Sequence, residues 1–137
     1  MVASEISEAI EALIDDALDG TELEGRAHEG EAPPDSATPY VVFEVAGLEH
    51  DGAIDSVAAT VTPRLAVAVF VSGDEGRHKA RELADLVNDA LDGKSMSDDL
   101  PDGIAHIEAM ADLYPVVRRD GQTWQGAFDI NLYIELS

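Results

Sequence analysis

The chain has 137 residues, of which 29 are acidic and eight are basic, so its formal net charge is −21. It contains no cysteine, which excludes disulfide bonds, thiolate zinc sites and a cysteine nucleophile. The charge disfavours nucleic-acid binding, which needs clustered lysine and arginine, and no apolar run reaches the roughly 20 residues of a membrane span.

The acidic residues are spread along the whole chain among apolar residues, which make up 45% of it. This pattern predicts one folded domain with a solvated acidic surface. Salt near 1 M shortens the Debye length to about 3 Å and so removes most of the self-repulsion of such a fold. We interpret the composition as halophilic, with an ordinary acidic protein as the alternative.

The N-terminal segment Ser4 to Leu18 is predicted to be a helix, because its apolar residues recur at three- and four-residue spacing. Gly20 suits the end of this helix. Residues 20–38 are rich in glycine, proline and glutamate and lack apolar periodicity. We therefore expect an exposed loop there.

Two strands are predicted next. Residues Tyr40 to Ala46 alternate, and the firm part of the second strand is Leu65 to Val71. This second strand is apolar on both faces, which predicts a helix on one side and a partner on the other. Residues 46–62 between the strands form a candidate arm.

The segment Ser72 to Glu75 has the pattern of a capping box, which predicts a second helix running to about Leu91. The glycine- and aspartate-rich residues 93–103 that follow are predicted to form another exposed loop. Residues 104–118 are then predicted to be a third strand.

The final strand is the clearest element. Asp120-Gly121 predicts a hairpin turn before it. From Trp124 onward apolar and polar residues alternate, which predicts a strand at the middle of the core. The apolar face consists of Trp124, Phe128, Ile130, Leu132, Ile134 and Leu136.

The predicted fold is α+β, in the order α-β-β-α-β-β. Hairpin-like links between strands predict a four-stranded, mainly antiparallel sheet with both helices packed on one face. A single domain over residues 1–137 accounts for the whole chain.

No catalytic, cofactor-binding or metal-binding residues are predicted. The histidines at 28, 50, 78 and 106 are scattered singly, and Asp98, Asp99 and Asp102 do not follow the ligand spacing of a calcium loop. We therefore expect a protein that is not an enzyme. A hydrolase using a carboxylate pair is the least favoured alternative.

We expect the protein to work through contacts made by its loops and arm. Five apolar residues in these segments are candidate interface anchors, and each has the alternative role of a local plug beneath its own loop. They are Leu48, Ile54, Val57, Met96 and Leu100.

Three segments carry a family resemblance: "TPYVVFEV", "LAVAVFVSGDEGRHKARELADLVNDALDG" and the closing hairpin "VRRDGQTWQGAFDINLYIEL". In this order, after an N-terminal helix and loop, they resemble the tail-terminator (tail-completion) proteins of long-tailed phages. The likeness covers nearly the whole chain and depends on pattern, because the family has no invariant catalytic signature.

The resemblance implies a hexameric ring of identical copies at the head-proximal end of the tail tube. Such a ring stops polymerisation of the major tail tube protein and joins the tail to the head–tail connector. DNA would pass through its lumen without specific binding. The implied location is the virion tail, with assembly in the host cytoplasm and no membrane association. The acidity points to a tailed virus of haloarchaea.

Two alternatives remain open. One is another neck protein, either a head-closure protein or an adaptor. The other is a halophilic cellular α+β domain that binds a small ligand in a concave pocket.

Overall fold

The computed structural model of the chain describes residues 3–46, 60–111, 116–121 and 123–136. Within these residues the chain forms two helices and eight strands. In chain order they are α1 (Ala3–Leu18), β1 (Ala27–Glu29), β2 (Tyr40–Ala46), β3 (Thr60–Val61), β4 (Arg64–Ser72), α2 (Gly76–Leu91), β5 (Ser95–Met96), β6 (Ile104–Ala111), β7 (Val116–Asp120) and β8 (Thr123–Leu136).

The α+β class is confirmed, but the sheet differs in detail from the four strands predicted. Its order is β1-β2-β4-β8-β6-β5, and β3 and β7 also pair with β8. Only the β1–β2 pair is parallel among the pairings described. The number of strands rises because the segments expected to be loops contribute three short strands. In addition, residues 104–118 contain two strands, with 112–115 outside the described residues.

The closing strand β8 is central, as predicted. It is 14 residues long, and two shorter strands share each of its edges. One edge pairs with β4 and then β3, whereas the other pairs with β7 and then β6. Its buried face contains Phe128, Ile130, Leu132 and Ile134, each at most 5% exposed.

The core lies between one face of the sheet and the two helices. The α1 stripe of Ile6, Ile10, Leu13, Ile14 and Leu18 is buried, and it joins the inward residues of α2 and the sheet in a single cluster. α1 ends as predicted, with Gly20 in the left-handed conformation at φ +81°.

At Gly126, α2 lies unusually close to β8. A Cβ atom at this position would lie 2.8 Å from the Ala84 Cβ and 3.0 Å from the Ala80 carbonyl oxygen. Glycine therefore permits helix and sheet to approach closely, while two small alanines form the facing surface of α2.

The predicted capping box is wrong. Ser72 is the last residue of β4 and pairs with Thr123, so its backbone is extended in the ladder. Its carbonyl oxygen accepts a hydrogen bond from the Glu75 N–H at 3.1 Å, which forms a turn. The helix begins at Gly76, and its N-cap residue Glu75 makes no side-chain cap bond.

The two predicted loops are more ordered than expected. Residues 20–38 include β1 and bury the Leu23 side chain in the core. Residues 93–103 include β5, which pairs with the outer edge of β6. Most residues of each segment are polar, but a few apolar side chains pack against the core and hold the segment in place. Of the candidate arm over residues 46–62, positions 47–59 lie outside the described residues.

Both lysines of the chain form ion pairs with the α1 side of the molecule, Lys79 from α2 and Lys94 from the turn just after α2. The Lys79 Nζ lies 2.9 Å from the Glu22 Oε1, and the Lys94 Nζ lies 2.7 Å from the Asp16 Oδ2. The hydrogen bond to Glu22 raises the pKa of Lys79. These pairs offset a small part of the acidic surface.

Candidate interaction surface on the open sheet face

The helices cover only one face of the sheet. Along β4, Leu65, Val67 and Val69 point into the core, whereas Ala66, Ala68 and Phe70 point away from it. We call the side away from the helices the open face. It is formed by the outward side chains of β2, β4, β6 and β8.

Small apolar side chains form the floor of the open face. The strand register places Val42 beside Ala68, and Ala68 beside Ala127. Next to this row, the rings of Tyr40 and Phe70 stack with centroids 5.1 Å apart. The result is a shallow groove of about 210 Å³ between β2, β4 and β8.

The open face also bears the two large apolar side chains that are most exposed among the described residues. Met110 is 48% exposed and Tyr133 is 37% exposed. Both lie farther along the sheet than the groove, since Met110 pairs with Asn131 and Tyr133 pairs with Glu108. Raised apolar side chains and a small-residue hollow therefore occur on the same face.

This face carries little of the chain's acid. The four strands that form it contain four carboxylates, at positions 44, 108, 129 and 135. Helix α1 alone carries five and no basic residue. On the open face the Arg64 Nη1 lies 3.7 Å from the Asp129 Oδ2, and the two side chains are 56% and 36% exposed. This pair is loose enough to be rearranged by a neighbouring charge.

A second hollow, of about 360 Å³, lies beside β1 and the segment before β2. The Arg26 Nη1 donates hydrogen bonds to the carbonyl oxygens of Ala37 and Pro39, at 3.2 and 3.1 Å. The His28 ring meets the Tyr40 ring edge-on. Arg26 therefore holds the 37–39 segment in place.

One exposed carboxylate pair lies at the end of α1. The hydrogen bond between the Asp19 and Glu24 carboxyl groups raises the pKa of Asp19 and lowers that of Glu24. Glu24 also accepts a hydrogen bond from the Gly20 N–H at 2.8 Å. The pair holds the turn after α1 together, and Glu24 lies at the edge of the second hollow.

The described residues contain no group of three or more histidine, cysteine, aspartate or glutamate side chains placed to hold a metal ion. His106 instead contacts Ser97, with 2.8 Å between its Nδ1 and the hydroxyl oxygen. Neither helix is long and apolar enough to cross a membrane.

The predicted interface anchors fall into two groups. Met96 and Leu100 are partly buried and pack against the core, so they anchor their own segment. Leu48, Ile54 and Val57 lie outside the described residues. Sequence reasoning placed contacts in the loops and did not identify the open face as a site. The signal for it was present in β4, where Ala66, Ala68 and Phe70 alternate with the core residues.

A sequence comparison with curated proteins finds no match. A solved protein structure aligns over 100% of this chain and 98% of its own, with a TM-score of 0.67 and 13% identity, which shows a shared fold. The sequence model of the family described as tail completion protein gp17 matches residues 7–135. The chain therefore belongs to the tail completion protein gp17 family, a family of structural proteins of phage tails.

Proposed function

We propose that the chain forms a ring of identical copies at the head-proximal end of a viral tail tube. The ring ends polymerisation of the tube and joins the tail to the head connector. The observation that carries the proposal is the family match over residues 7–135, which leaves almost no part of the chain for another activity.

The surface of the protein supports a role in assembly. The hollows described are open, polar or shallow, and the described residues hold no cluster of metal-ligating side chains. The open face instead presents apolar and aromatic side chains to a neighbour, as an interaction surface does. A structural family is consistent with a protein that is not an enzyme.

Contacts within the ring involve the segments that protrude from the sheet. We assign Leu48, Ile54 and Val57 of the 46–62 arm to the neighbouring copy or to the major tail tube protein. Met96 and Leu100 pack against the core beneath the 93–103 segment, which positions its polar residues for contact with the neighbouring copy or the tail tube. A ring needs contacts between different surfaces of successive copies, and separate segments supply such surfaces.

DNA passes through the ring without specific binding in this proposal. The basic cluster at the start of α2 is short and has acidic neighbours at positions 74, 75 and 82. Such a surface does not hold phosphates. The net charge of −21 also suits a virion that functions in high salt. We propose a tailed virus of haloarchaea as the source of the chain. Assembly then takes place in the host cytoplasm.

The experiment is to delete the gene from its virus and to examine the particles by electron microscopy. We expect tails of uncontrolled length that are not joined to heads, with normal particles restored by the intact gene. Tails of normal length that lack heads would instead indicate a head-closure or adaptor protein. Normal particles would overturn any role in the virion and leave a cellular ligand-binding domain, which ligand-dependent melting shifts would reveal.

A further inference from the structure

We propose that the open face binds the open face of a second copy of the chain. In this pair Tyr133 of each copy lies in the alanine-floored groove of the other. The contact uses the same surface on both copies, so it closes at two copies and differs from the contacts that build a ring. The inference does not depend on the proposed function.

The positions of the raised and hollow parts support a two-fold arrangement. Tyr133 and the groove residue Ala127 are both on β8 and point to the same face, with Ile130 midway between them. A two-fold axis that lies in the plane between the two sheets, at right angles to β8 and level with Ile130, places Tyr133 of each copy over Ala127 of the other. Facing sheets pack about 10 Å apart, so a tyrosine opposite alanine fills the gap.

The same axis provides a charge contact. Asp129 and Asn131 are equally distant from Ile130. Across the interface, Asp129 of one copy therefore lies opposite Asn131 of the other copy. Arg64 pairs with Asn131 in the ladder, and it therefore lies beside the partner's Asp129. Within one copy the Arg64–Asp129 distance is 3.7 Å and both groups are solvated. When the two copies meet, Arg64 of each copy pairs with Asp129 of the other. Both charges are then neutralised in the centre of the interface.

The area of the open face is sufficient for a stable pair. β8 has 14 residues, so at about 3.3 Å per residue it is about 46 Å long. With the strands along its two edges, spaced about 4.8 Å apart, it covers roughly 650 Å², and β2 adds about 100 Å². A specific interface buries about 800 Å² per partner.

Electrostatics favours this face over the other surfaces. Two copies that each carry −21 repel each other, and the helix side adds the five carboxylates of α1. The open face has fewer acids for its area, with Arg64 on β4 and Arg118 of β7, which lies beside the outward Gln125, to neutralise them. An apolar contact between like-charged copies strengthens as salt screens the repulsion. We therefore expect the pair to be more stable near 1 M salt than near 0.1 M.

The test uses the absence of native cysteine. The variant Gln125→Cys/Glu135→Cys keeps Tyr133 and Ala127, and the same axis places each of its two positions opposite the other across the interface. It is treated with a bis-maleimide that spans about 10 Å, the separation of packed sheets. Within one chain the two positions are about 33 Å apart along β8, so the reagent reports only contact between copies. The matched control, His78→Cys/Asp89→Cys, places both thiols on the exposed side of α2, about 16 Å apart along the helix and so also beyond the reach of the reagent within one chain.

We expect a covalent dimer from the β8 variant and no larger species, with only traces from the α2 control. Sedimentation of the unmodified chain should give a dimer in 1 M salt. Tyr133→Glu should convert it to a monomer whose circular dichroism spectrum is unchanged, and whose melting temperature, unlike that of the wild type, does not depend on protein concentration. A ladder of cross-linked species, a monomer at every salt concentration, or equal cross-linking of both variants would overturn the pairing. A ring whose β8 cysteines remain uncross-linked would also overturn it, while the proposed function would stand.

Discussion

The close approach of α2 to β8 makes Gly126→Ala an informative substitution. The added Cβ would lie 2.8 Å from the Ala84 Cβ and 3.0 Å from the Ala80 carbonyl oxygen. Carbon atoms in ordinary contact are about 3.5–4.0 Å apart, so the helix must move by roughly 0.7 Å or more. Neither neighbour is the end of a flexible side chain, and the strain therefore spreads through the core.

The expected cost follows from two opposing terms. Overpacking of this kind costs about 1–3 kcal/mol, whereas alanine gains about 0.5–1 kcal/mol over glycine in an element interior. The net loss is about 0.5–2 kcal/mol, which for a domain of this size lowers the melting temperature by roughly 2–8 °C. Gly126→Val should cost more because it adds two further methyl groups against α2.

Thermal unfolding followed by circular dichroism at fixed salt measures this effect. Gln125→Ala is the matched control, because its side chain points to the open face, and it should leave the melting temperature almost unchanged. Ala84→Gly in the Gly126→Ala background should recover part of the loss after correction for glycine in a helix. A Gly126→Ala protein that melts at or above the wild-type temperature would refute the close packing of α2 on β8.

Three further changes test the fold. Ile130→Ala removes a fully buried side chain from the central strand and should cost about 2–5 kcal/mol by denaturant unfolding; a loss below about 1 kcal/mol would contradict its central place. Lys94→Ala breaks the pair with Asp16 and should lower the melting temperature in dilute salt but not near 1 M salt, and an equal effect in both would argue against an ionic cause. Asp19→Asn keeps a hydrogen-bond donor for Glu24 and removes the charge repulsion between the two carboxylates. Because folding raises the pKa of Asp19 above its usual value of 3.8, the wild-type contribution of this group is present at lower pH and is lost as pH rises through the raised pKa. The variant should therefore gain stability over the wild type at pH 7 but not near pH 3.5, as melting curves at both pH values will show, and no difference between them would contradict the shared proton.

The sequence was sufficient to predict the principal elements. Strict alternation from Trp124 onward predicted the central strand, because one side of an antiparallel sheet faces the core. Spacing of three and four residues predicted both helices. The order of the main elements followed from these patterns, and the quoted segments pointed to the family that the comparison then showed.

Several features depend on tertiary contacts and could not be predicted. The pattern Ser72 to Glu75 matches a capping box, but pairing of Ser72 with Thr123 holds it in the sheet. The short strands β1, β3 and β5 have only two or three residues, which is too few to show a period. Each depends on hydrogen bonds to a longer strand.

The open face was only half predicted. The apolar outer side of β4 indicated a partner, but Tyr133 and Met110 become part of the same surface only when β8 and β6 lie beside it. The groove itself arises from alanines on two strands that are about 60 residues apart in the chain. A single sequence gives no register between such strands.

The place of the chain in the virus is tested most directly by electron cryomicroscopy of intact particles carrying a small tag on its N-terminus. The account predicts density for the tag in one ring where the tail tube meets the head. Particles that lack the chain, or a tag found along the whole tube or at its distal tip, would contradict it.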